Sequence, residues 1–97
     1  MKYLPEDIVK DWGLSNLSPE EQLQVIDRIN RLLFQAMLAR CLDLLTEDEE
    51  NELDLMLDNE EMKPENVLSF LASKIPTFEQ IRLEEIENLK RDILVHN

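Results

Sequence analysis

The chain is 97 residues long with a formal net charge of −12, and it contains one glycine, one cysteine and one histidine. That length holds a single domain, residues 1–97, with one modest core. The charge argues against direct binding to nucleic acid or to an anionic membrane surface. The scarcity of glycine argues against phosphate-cradling loops and most β-sheet folds.

The charge is uneven. Residues 46–65 hold ten acids and only Lys63, so −9 of the −12 falls in that segment. Cys41 has no partner for an intramolecular disulfide. The opening Met1-Lys2-Tyr3-Leu4-Pro5-Glu6-Asp7 lacks the apolar core of a secretory signal, and no apolar run is long enough to span a bilayer. A soluble, cytoplasmic protein is the expectation.

Helix punctuation predicts the elements. Pro5 suits a first helical position, and Gly13 suits the residue just past a helix end, where φ is positive. Ile8, Val9 and Trp12 share a face, which predicts a short helix over about 5–12. Ser18-Pro19-Glu20-Glu21 starts the next helix: Ser18 caps, Pro19 stands where an N–H is not needed, and Glu21 closes a capping box. Leu17 and Leu23 are expected to staple that start together. No Gly or Pro interrupts the chain before about residue 45, so a helix of ~40 Å is predicted over 19–45. Thr46-Glu47-Asp48-Glu49 repeats the start signal for a helix to about 59, with Leu53, Met56 and Leu57 facing inward. Pro64 opens a fourth helix with the stripe Val67, Leu68, Leu71, Ile75, and Pro76 ends it. Thr77 then caps a last helix, with Gln80 at its third position and Phe78, Ile86, Leu89 and Ile93 as the buried face. The predicted fold is all-α: an irregular helical bundle, one long central helix packed by three shorter helices plus a short N-terminal helix.

The long helix changes character along its length. Gln24, Arg28, Arg31 and Gln35 form a polar stripe in its first half. Leu38, Leu42 and Leu45 continue where that stripe would have run, and 11 of the 14 residues from Leu32 to Leu45 are apolar. A helix apolar nearly all round is covered on nearly all sides. Either the short helices wrap it, or part of it is a self-association interface, and the two are compatible. Four short helices cover so long a helix only in part, which favours some self-association. Leu38, Leu42 and Leu45 are the candidate self-interface of a homo-oligomer, with a dimer favoured.

The acidic segment invites a metal, but no window supplies the glycine of a calcium loop. The pairs Asp54 with Asp58 and Glu49 with Glu52 can hold a divalent ion only weakly, and a solvated face explains them. His96 stands next to the end of the chain, which removes paired Glu-x-x-His sites and histidine-dependent nucleophiles. Cys41, within the apolar stretch, reads as a small buried hydrophobe. Trp12 either folds the N-terminal helix onto the bundle or anchors a partner. Met37, Met56 and Met62 read as packing residues, and Arg28 and Arg31 as a solvated face. No catalytic, cofactor-binding or metal-binding residues emerge, and no enzyme is expected.

Several segments together carry a family resemblance: Leu4-Pro5-Glu6 with Trp12-Gly13-Leu14, Leu17-Ser18-Pro19-Glu20-Glu21, Leu45-Thr46-Glu47-Asp48-Glu49-Glu50, Pro64-Glu65-Asn66-Val67-Leu68-Ser69-Phe70-Leu71 and Lys74-Ile75-Pro76-Thr77-Phe78-Glu79. The chain resembles a small all-helical bacterial domain of unknown function that recurs in proteins of reduced-genome, candidate-phyla bacteria. The resemblance spans nearly the whole chain and implies a helical fold, without an activity or site residues.

The functional expectation is a helical interaction or structural module that self-associates through the long helix. The alternative is an acidic adaptor that docks a basic protein partner through Glu47, Asp48, Glu50, Asp54 and Asp58, or mimics nucleic-acid charge. A weak divalent-metal protein or an enzyme is the last alternative.

Overall fold

The computed structural model describes residues 7–95. It is all-α, with no strand among the described residues. The helices are α1 (Ile8–Asp11), α2 (Pro19–Leu42), α3 (Glu47–Leu57), α4 (Pro64–Lys74) and α5 (Phe78–Val95), with a 3-10 turn at Leu14–Asn16. The helix start expected at Pro5, and His96, lie outside the described residues.

Both capping boxes form. Ser18 Oγ accepts from the Glu21 N–H at 3.2 Å while Glu21 Oε1 accepts from the Ser18 N–H at 3.2 Å. Thr46 and Glu49 repeat the exchange at 3.2 and 2.9 Å. Gly13, at φ 68°, makes the left-handed turn after α1. The expected staple between Leu17 and Leu23 does not form, because Leu23 is 69% exposed. The position that would supply the staple partner is Gln22, and its side-chain amide donates instead to the carbonyls of Leu14 and Leu17. That ties the N-terminal segment to α2.

Helix α2 stops at Leu42, three residues before the predicted end. Thr46 must be extended (φ −72°, ψ 166°) to cap α3, so the chain needs residues 43–45 to turn. The Leu44 and Leu45 N–H groups close that turn onto the carbonyls of Cys41 and Leu42. Helix α3 likewise ends at Leu57, before the predicted 59. Asn59 then makes a side-chain turn, its Oδ1 accepting from the Glu61 N–H at 3.0 Å. At the start of α5, Gln80 donates forward to Glu84.

One core unites the elements. Ile8, Trp12 and Leu14 from the N-terminal segment join Ile29, Leu33, Met37 and Cys41 of α2, Leu53 of α3, Val67, Leu68 and Leu71 of α4, and Phe78, Ile81 and Ile86 of α5. Trp12 is 2% exposed, so it folds the N-terminal helix onto the bundle and is not a surface anchor. Ile81 belongs to the buried face of α5 beside the residues predicted for it. Helix α5 packs most extensively on α2, and Arg40 clamps the pair by bridging Glu84 at 2.9 Å and Glu85 at 3.2 Å. Helix α4 packs on α2, α3 and α5, whereas α3 packs on α4. The molecule measures 46 × 27 × 21 Å with a radius of gyration of 14.6 Å. A compact chain of this length has a radius of about 12–13 Å. The excess reflects α2, whose 24 residues span about 36 Å and set the long axis.

Candidate functional site

Leu38, Leu42 and Leu45 are half-buried and pack against the core, so the apolar second half of α2 is in large part covered within the chain. Among the described residues the large hydrophobic side chains most open to solvent are Leu23, Leu44, Leu55, Leu57 and Leu83, of which Leu44 stands in the turn beside Leu45. Leu57 was expected to face inward but is 43% exposed. The line of α3 that meets α4 runs through Glu49, Leu53 and Met56, and Leu57 stands at its edge.

That edge borders a cleft. An open space of about 200 Å³ is bordered by Phe34, Met56, Leu57, Asn59, Met62, Pro64 and Val67. A second cleft of about 320 Å³ lies between α2 and α4, lined by Asp27, Asn30, Arg31, Leu33, Phe34, Gln35, Pro64, Glu65 and Leu68. Phe34 and Pro64 belong to both, so the two spaces adjoin across a shared wall. The smaller space fits one large apolar side chain, since a cavity of about 150 Å³ already admits benzene. Its two methionines are unbranched and can repack around different shapes. At the mouth of the larger cleft Arg31 pairs with Asp27 at 3.3 Å, both side chains well exposed.

The predicted acidic face flanks this region. Glu47, Asp48, Glu50, Asp54 and Asp58 are all exposed. By helical periodicity Glu47, Glu50, Asp54 and Asp58 fall on one stripe, with Glu50 and Asp54 beside Leu57. Asp48 points away from it. No acid between Glu47 and Glu65 is ion-paired among the described residues. The acids of the first turn suit the positive end of the helix. Asp54 and Asp58 sit at the opposite, negative end, where a carboxylate is disfavoured by about 0.3–1 kcal/mol and no basic residue offsets them. Helix formation therefore explains the early acids and not the late ones.

Other candidates resolve into structure. Cys41 is fully buried, and burial pushes its thiol pKa up, away from the reactive thiolate. Met37 is core. Among the described residues no group of three or more His, Cys, Asp or Glu side chains is placed to hold a metal ion. No helix among them is long and apolar enough to cross a membrane. The clefts went undetected in the sequence because Phe34, Met62 and Pro64 come from different elements and meet only through packing. Pro64 and Met62, flanking Lys63 between α3 and α4, were the one local sign of an apolar surface there. No family model matches the chain, and no curated protein or solved structure matches it.

Proposed function

We propose that this chain is a non-enzymatic docking module that binds a basic protein through the apolar clefts bordered by α2, α3 and α4 and the acidic stripe of α3. The observation that carries this reading is the unpaired stripe Glu47, Glu50, Asp54 and Asp58 beside Leu57 and the Met56–Met62 cleft. Apolar contacts in the clefts supply affinity, and the acids supply steering and register. A self-interface at Leu38, Leu42 and Leu45 is less well supported, because those side chains already pack against the core. Two copies would also bring together two charges of −12.

The test is fluorescence anisotropy with a labelled Lys/Leu amphipathic peptide, at low and high salt, on the wild type and on a Glu50→Lys/Asp54→Lys variant. Both substitutions are at exposed positions. Binding that weakens with salt and with charge reversal supports the proposal. Binding indifferent to both contradicts it. Light scattering across a dilution series gives the companion result: a monomer agrees, and a dimer that dissociates on Leu38→Lys and Leu42→Lys restores the self-association reading.

A further inference from the structure

Resting on that docking proposal, we infer the form of the partner: an amphipathic basic helix that places two large apolar side chains, one turn apart, in the two clefts on either side of Phe34 and Pro64. Three observations lead there. First, the clefts adjoin across a wall of two side chains, and their volumes, about 200 and 320 Å³, each admit one large side chain. Side chains at i and i+4 on a helix stand about 5–6 Å apart and project from one face, so a single helix can offer two anchors to two adjoining spaces. Second, there is no strand among the described residues and hence no sheet edge to pair with. The smaller cleft offers Asn59 alone as a polar lining residue, so an extended partner would leave backbone N–H and C=O groups unpaired there, whereas a helix satisfies its own backbone. Third, the surroundings are acidic. Glu65 lines the larger cleft. Asp58, Glu60 and Glu61 are the exposed sequence neighbours of the lining residues Leu57, Asn59 and Met62. Of the nearby bases, Arg31 is engaged by Asp27, which leaves Lys63 against these acids. The flanks of the incoming helix are therefore Lys and Arg. A second copy of this chain is a poor occupant because it brings the same acidic excess.

The experiment compares two peptides of identical Lys, Ala and Leu composition. One carries its two leucines at i and i+4, on one face. The other carries them at i and i+2, on opposite faces. Anisotropy titration at low salt is expected to give about tenfold or more tighter binding for the first. Leu57→Asn, a change at a half-exposed wall residue that leaves the core intact, is expected to erase that preference. Equal affinity for the two peptides overturns the helical two-anchor partner while leaving acidic docking in place. Binding of neither peptide overturns both. A preference that survives Leu57→Asn unchanged puts the anchors elsewhere and also overturns the inference.

Discussion

Helix α3 carries both the acids and one wall of the smaller cleft, and a single residue, Leu53, anchors it. Leu53 is 0% exposed and is the one fully buried residue of α3. Truncating a fully buried leucine to alanine costs about 3 kcal/mol, from lost transfer free energy plus the cavity left behind. A domain of this size has a total stability of roughly 5–10 kcal/mol. Because α3 packs on α4 alone to any large extent, the loss falls first on α3 itself, as local opening. Leu53→Ala is therefore expected to speed amide exchange in α3 by about a hundredfold, with a smaller effect in α2 and α5. Urea unfolding measures the global part. Leu55→Ala, on the same helix but 72% exposed, is the control and stays within about 0.5 kcal/mol of the wild type. A Leu53→Ala variant as stable as Leu55→Ala, with α3 exchange unchanged, would refute the anchoring role.

Further outcomes follow from the same geometry. Thr46→Ala removes one half of the α3 capping box and lowers stability by about 1 kcal/mol in urea unfolding; no change would mean the box is idle. Gly13→Ala meets no atom within 4 Å, so its cost, about 1–2 kcal/mol, comes from the positive φ alone. Hydrogen bonds from Arg40, aided by Gln80, hold the Glu84 carboxyl below the ordinary carboxylate range. A folded pKa below the unfolded one adds stability that is complete above the unfolded value and is lost as pH falls through the lowered value. Glu84→Gln is thus destabilising near neutral pH and neutral in strong acid, measured by urea unfolding at each pH. A deficit that persists in acid contradicts the pairing. The buried Cys41 thiol reacts with a disulfide reagent only as fast as the chain opens, so its rate rises with urea; rapid reaction of the native chain contradicts its burial.

Local signals were legible in the sequence. Ser18 with Glu21, and Thr46 with Glu49, are read from four consecutive residues and form as read. Gly13 marks a left-handed turn for the same local reason. The helix ends were less legible. Leu42 ends α2 because the cap at Thr46 demands a turn before it, and apolar periodicity through Leu45 does not register that demand. Leu57 shares the periodicity of a buried stripe, and only the placement of α4 decides that it stands at the edge. The acidic face was evident from composition, but the clefts beside it depend on Phe34 meeting Pro64 and Met62 in three dimensions. Leu38, Leu42 and Leu45 read as a surplus face because periodicity does not reveal which elements lie over them.

The most direct test of the docking account is an amide chemical-shift titration of the isotope-labelled chain with the basic two-anchor helix. The account predicts shifts confined to the walls of the two clefts, residues 27–35 and 56–68, and to the acidic stripe at Glu50 and Asp54. Shifts centred on Leu38, Leu42 and Leu45, or spread evenly over the surface, would contradict it.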